Sequence, residues 1–318
     1  MSTRAAFAPG THKNLRTQWR AYFLFCIYFH RSPLPASAHT LCLYAQFLSR
    51  SFKAVASIRN YISGVKLLHL LMDHDCPAFG AMELKLALRG LARLNPHMPT
   101  QASPITPHLL LRIYNVLDMT QVTDTVMWSL YLTAFFSFLR KSNLVPLSPA
   151  QFDPSCQLAR GRVAVGSSSL LLCVKWTKTL QFGNRVLQIP LLAIPDSPLC
   201  PVRAYKNMIK LVPGPPMAPA FALPVGSGLQ AVSYNQLTRH LRQVLDRIGI
   251  GGASFSSHSF RRGGATWAFK SGVAPHLIQL QGDWVSEAYQ KYIDISLEQK
   301  VSVASSMRHH LAPNHFLL

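Results

Sequence analysis

The sequence predicts a mainly α protein in two parts. An all-helical N-terminal domain comes first. A larger α+β domain with a small three-stranded antiparallel sheet follows. Three observations carry this. Apolar residues recur at three- and four-residue spacing along most of the 318-residue chain, the period of helices with one buried face. The stretch from Asn95 to Pro104 places three prolines among small polar residues, where no helix can continue. Residues 162–165, 169–176 and 184–191 alternate or run apolar as strands do. At 49% hydrophobic residues the chain can bury sizeable cores, and its length suits two domains.

The elements follow in order. Residues 1–10 read as a loose arm. From Thr11, a plausible N-cap, Leu15, Trp19, Tyr22 and Cys26 keep helical spacing through about 29, and Pro33 and Pro35 end that run. Further helices are expected near 37–50, 54–72 and 80–93, which completes a first domain over 1–95. A linker is expected over 96–106 and a second domain over 107–318. There Pro107 suits a first helical turn, and a strongly apolar helix covers about 122–139, closed by Arg140. The three strand candidates come next, with a turn at Gly166–Ser169 and Lys178 between the second and third. Helices resume near 199–211, 233–248, 259–271, 275–281 and 286–293. The segments 213–219 and 226–228 read as surface loops. A tail helix is expected near 296–308.

Charge narrows the function. Thirty-two Lys and Arg against twelve Asp and Glu give a formal +20, which favours a polyanionic partner, nucleic acid above all. Residues 1–100 carry +9 of that charge and the remainder +11, so both parts are expected to meet the polyanion. The basic residues are spread through folded sequence, unlike a basic tail or a membrane-surface helix. The six cysteines form no CxxC pair and read as reduced thiols of an intracellular protein. No zinc spacing and no signal peptide is visible. The apolar runs at 21–29 and 126–139 fall short of the ~20 residues of a membrane span.

Chemistry is suggested by six positions in order: Arg140, Lys178, His258, Arg261, Trp284 and Tyr292. Singly each has a plain structural reading. Arg140 suits a helix C-terminus, Lys178 an exposed hairpin, and Trp284 and Tyr292 a core. Together they describe a metal-free site for phosphodiester chemistry. Two arginines can each offer a planar fork to phosphate oxygens. A tyrosine can form a covalent phosphoester. His258 and Lys178 can move protons. No carboxylate cluster is present to hold magnesium, so neither a metal nor another cofactor is expected, and charge stabilisation falls to the arginines.

The flanking residues extend the pattern. Phe138-Leu139-Arg140-Lys141-Ser142-Asn143-Leu144, Trp176-Thr177-Lys178-Thr179, His258-Ser259-Phe260-Arg261-Arg262-Gly263-Gly264 and Gly282-Asp283-Trp284 through Tyr292-Ile293 resemble the boxes of the tyrosine recombinase (phage integrase-like) superfamily. The form from Trp284 to Ile293 is most similar to recombinases of eukaryotic mobile elements, the DIRS, Ngaro and Crypton groups. The motif resemblance covers about 135–295. It implies a helical core-binding domain plus a catalytic domain of the tyrosine recombinase fold. It also implies strand cleavage through a 3′-phosphotyrosyl link with Tyr292 as nucleophile. Arg140 and Arg261 would clamp the phosphate, with Lys178 as general acid, His258 as general base and Trp284 bonding a phosphate oxygen. Two features depart from the usual pattern. Asn143 stands where many members have an acidic residue, and Tyr289 competes with Tyr292. The spacing after Trp284 favours Tyr292, and the His-x-x-Arg spacing selects Arg261 over Arg262.

The expected partner is double-stranded DNA, held by Lys13, Arg16 and Arg20 on the first helix and by Lys53, Arg59 and Lys66 around the third. The resemblance further implies a dimer or tetramer on DNA, a tail that docks on a neighbouring protomer, and a nuclear location; a tail helix folded back on its own domain is the competing reading. Two competing readings are a non-catalytic DNA-binding relative and a type IB topoisomerase. The spacing from Trp284 to Tyr292 and the short tail fit the topoisomerase less well.

Overall fold

In the computed structural model, the structure describes residues 6–97, 101–180, 185–291, 293, 301 and 305. Tyr292 and, but for 301 and 305, the tail helix expected over 296–308 lie outside the described residues. The chain forms two compact units, Met1–Thr100 and Gln101–Leu318.

The first unit is helical: α1 (Pro9–Tyr28), α2 (Ala38–Ser49), α3 (Val55–Leu71) and α4 (Met82–Leu94), with a 3₁₀ turn at Pro77–Gly80. Its core gathers Tyr22, Phe25, Leu41, Tyr44, Ile58, Ile62, Val65 and Leu84, the inward stripes of the four helices. Helix α1 lies against α3 through Trp19, whose Nε1 donates to the Gly64 carbonyl at 2.8 Å. A Cβ at Gly64 would fall 1.9 Å from the Gln18 side-chain oxygen, so a larger residue there would displace the end of that side chain. His69 is fully buried; its Nε2 accepts from the Ala36 amide at 2.8 Å and its Nδ1 faces the Val65 carbonyl at 2.8 Å. The first ring nitrogen accepts, so the second carries the proton. That ring fastens the 29–37 connection to α3.

The second unit opens with residues the sequence assigns to a linker, yet 101–106 are built into its packing. The amides of Ser103 and Ile105 donate to the carbonyls of Ser254 and Ser259, and Ile105 is buried. Then come α5 (Pro107–Tyr114), capped by Thr106, and α6 (Val122–Ser137), the central helix, buried nearly all round. After a one-turn helix α7 (Lys141–Leu144), strands β1 (Val163–Val165), β2 (Ser169–Val174) and β3 (Leu187–Leu192) form the antiparallel sheet in the order β1-β2-β3. Opposed pairs Leu170–Leu191, Leu172–Ile189 and Val174–Leu187 set one face on the core, as a period of two requires. Pro190 is tolerated because β3 is an edge strand. Helices α8 (Pro201–Leu211), α9 (Tyr234–Arg247), α10 (Ser257–Lys270) and α11 (Pro275–Gln281) complete the unit.

Four local expectations change. Strand β2 ends at Val174 rather than at 176. The region around 226–228 is the turn of a hairpin, β4 (Ala222–Val225) with β5 (Gly228–Ala231); four-residue strands, one holding Pro224, leave little alternation to read. Of the helix expected near 286–293, the described residues Glu287–Lys291 form a 3₁₀ turn. Arg140 does not close α6, because Phe138 adopts φ 53° and ends the helix two residues earlier.

Candidate active site

The site is assembled from three helix ends and one inter-strand turn, all in the second unit. At the end of α6, left-handed Phe138 turns the chain so that Arg140 becomes the extended residue before α7. At the start of α10, Ser256 and Ser259 form a reciprocal capping box, which fixes the first turn carrying His258. Gly263 and Gly264 then let α10 press close. Cβ atoms there would fall 1.7 Å from the Ile105 carbonyl oxygen and 2.0 Å from that of Phe135.

Arg261 is the buried centre, at 1% exposure. One terminal nitrogen donates to the Phe138 carbonyl, the other to the Gly282 carbonyl at 2.7 Å. Its guanidinium lies over the Trp284 ring, 3.7 Å from the centroid. The expected open fork from Arg261 is therefore turned onto backbone carbonyls, because a buried guanidinium must satisfy its donors. Arg262 points elsewhere and donates to the Gln101 side chain.

Helix α11 ends in a Schellman arrangement. The Trp284 amide donates to the Gln279 carbonyl and the Asp283 amide to that of Leu280, both at 3.1 Å. Asp283 takes the left-handed position, φ 51°, which Asp tolerates better than most residues. Asp283 is 3% exposed. It accepts from both Thr177 and Thr179 hydroxyls and from Arg185 Nη2 at 2.8 Å, and it lies 4.0 Å from Arg140 Nη1. The two threonines flank Lys178, so the turn between β2 and β3 is tied to the α11 end. Asn143 ties the same turn from the other side, its Nδ2 donating to the Trp176 carbonyl at 2.7 Å.

The imidazole of His258 titrates below its ordinary value. Desolvation is the main cause, and the Lys141, Arg261 and Arg140 cations add to it. Lys141 also lies over the Tyr234 ring at 3.3 Å. Tyr289, the rival tyrosine, is buried in an apolar cluster with Phe138, Ala265, Ile278 and Trp284. The structure thus brings Arg140, His258, Arg261, Trp284 and the Lys178 turn together. Asp283, Arg185, Thr177 and Thr179 were not singled out from the sequence.

The six expected DNA-contact residues, Lys13, Arg16, Arg20, Lys53, Arg59 and Lys66, are all exposed on the first unit. Lys13 and Arg20 are seven apart on α1, as Arg59 and Lys66 are on α3, so each pair shares a helix face. Among the described residues, no group of three His, Cys, Asp or Glu could hold a metal ion, and no helix is long and apolar enough to cross a membrane.

Helices enclosing a small three-stranded antiparallel sheet, with this site at the helix ends, make the fold that of the tyrosine recombinases. No protein-family model matches the sequence, and no curated protein matches it. Solved structures do. The Tn1549 transposon integrase in complex with circular intermediate DNA is similar at 14% identity and TM-score 0.61, covering 96% of each chain. A lambda integrase dimer bound to a COC′ core site is similar at 15% identity and TM-score 0.59, covering 91% of this chain and 89% of that one. The XerH site-specific recombinase bound to palindromic difH substrate is similar at 12% identity and TM-score 0.57, covering 86% of this chain and 70% of that one.

Proposed function

We propose that this protein is a site-specific DNA recombinase of the mobile-element type. On this reading it cuts and rejoins double-stranded DNA through a 3′-phosphotyrosyl intermediate. The observation that carries the reading is the convergence of Arg140, His258, Arg261, Trp284 and the Lys178 turn at the ends of α6, α10 and α11. Supporting it are the +20 charge and the fold shared with DNA-bound integrases.

In the first step the Tyr292 oxygen attacks phosphorus and its proton passes to His258. A lowered imidazole pKa leaves His258 neutral near pH 7 and able to accept it. The bond to the 5′-oxygen breaks, and Lys178 protonates that oxygen. Charge on the phosphoryl oxygens is met by Arg140, which keeps 21% side-chain exposure, with Arg261 adding positive potential from below. In the second step a 5′-hydroxyl of another strand attacks the link and releases the tyrosine. One phosphodiester is exchanged for another, so no nucleotide triphosphate is consumed. Exchange between two duplexes calls for a dimer or tetramer on DNA, acting in the nucleus. The exposed cations of α1 and α3 would grip phosphates.

The test is an SDS-stable protein–DNA adduct on nicked duplexes, drawn from DNA flanking the gene and from a random pool. The reading expects an adduct that Tyr292→Phe abolishes and Tyr289→Phe, if folded, retains. Salt-sensitive binding without any adduct would shift the conclusion to a non-catalytic DNA-binding protein.

A further inference from the structure

The geometry assigns Asp283 a task that no sequence motif marked: it is the positioning residue for the general acid. This rests on the catalytic reading above. Its carboxylate is buried, and the two hydroxyls that flank Lys178 both donate to it. Residues 177–180 are otherwise tightly knit. The Thr177 hydroxyl oxygen accepts from the amides of Thr179 and Leu180, each at 3.1 Å, and stands 2.9 Å from the Thr179 hydroxyl. One anion therefore fixes the residues on either side of Lys178. That anion is itself fixed by the left-handed end of α11, next to the Gly282 carbonyl that holds Arg261 and 4.0 Å from Arg140.

The arrangement solves a specific problem. Lys178 sits in a connection between strands, yet a general acid must meet the leaving oxygen within hydrogen-bond reach. Threonine hydroxyls given to a buried carboxylate make short charge-assisted bonds. Those bonds lock the turn to the same helix end that carries Trp284. Asn143 contributes a neutral bond to the neighbouring Trp176 carbonyl. Asp283 supplies the charge. Arg185, paired with Asp283 at 2.8 Å and half exposed, closes the outer side of the carboxylate.

The prediction concerns leaving-group chemistry. A 5′-bridging phosphorothiolate releases a thiolate, which needs no proton from Lys178. Asp283→Asn keeps shape and removes charge. On an ordinary nicked duplex it should slow adduct formation about 10- to 100-fold, a part of the ~10²–10⁴-fold that a positioned general acid contributes. On the sulfur-substituted duplex the loss should shrink to about threefold or less, because the proton transfer it disables is no longer required. Thr179→Val removes one of the two bonds from the other side and should show the same split in smaller measure. It also serves if Asp283→Asn does not fold, which thermal unfolding reports. Equal losses on both substrates, or none on either, would overturn the assignment. If the wild-type protein forms no adduct on either duplex, the catalytic reading itself fails.

Discussion

A Cβ added to Gly282 would fall 1.6, 2.1 and 2.4 Å from three carbons of the Trp284 ring. Gly282 has φ −81°, so alanine there brings no backbone strain and Gly282→Ala isolates the steric effect. Ordinary contact begins near 3.4 Å, so the indole edge must retreat by about 1.8 Å. The ring now lies 3.7 Å from the Arg261 guanidinium and is packed by Phe138, Ala265 and Ile278, which leaves it little room. Overpacking of this kind costs about 1–3 kcal/mol, and a disrupted guanidinium–indole contact about 0.5–2 kcal/mol more. A middle value of about 3 kcal/mol lowers the midpoint of a unit of this size by about 6–12 °C. Differential scanning calorimetry reads this directly. Gly251→Ala is the control, since nothing lies within 4 Å of its added Cβ. If Gly282→Ala melts within about 1 °C of wild type, Trp284 is not held as described, and the coupling of Arg261 to the α11 end fails with it.

Other consequences are as direct. The folded-state pKa of His258 is lowered, so the unfolded chain binds more protons as pH falls through about 6.5. Stability is therefore present above that pH and lost below it; His258→Gln should flatten part of the loss in melts between pH 7.5 and 5. Arg160 is buried, its Nε donating to the Pro219 carbonyl at 3.3 Å and its Nη2 without a hydrogen-bond partner among the described residues. Burial lowers its pKa, so Arg160→Met should leave the second unit as stable or up to about 1 kcal/mol more stable, and a clear drop in midpoint would refute that. Alanine at Lys13, Arg16 or Arg20 should each reduce the salt slope of DNA binding by about 1 where the side chain meets a phosphate, with no sequence preference. Unchanged slopes for all three would remove α1 from the interface.

Much of this molecule is legible in its sequence, for identifiable reasons. Helix α3 announces itself by the period of its apolar stripe, and α6 by an apolar run too long for a strand. The strands β2 and β3 show as short apolar runs whose alternate residues meet the core. The hairpin at 222–231 escapes because its strands are four residues long. Position 138 escapes because a phenylalanine does not advertise a left-handed turn. Among site residues, spacing alone separates Arg261 from Arg262, since an α-helix turns adjacent residues to different sides. The carboxylate of Asp283 is invisible to motif reading because its partners, Thr177, Thr179, Arg140 and Arg185, are about a hundred or more residues away in the chain. Only the fold joins them.

The central claim is that the chain breaks DNA by bonding it to one tyrosine. The most direct measurement is mass spectrometry of the trapped adduct after nuclease and protease digestion. The account predicts a nucleotide joined through its 3′-phosphate to the peptide containing Tyr292, with a free 5′-hydroxyl on the released strand. A nucleotide on Tyr289, a link through a 5′-phosphate, or cleavage with no peptide-bound nucleotide would contradict it.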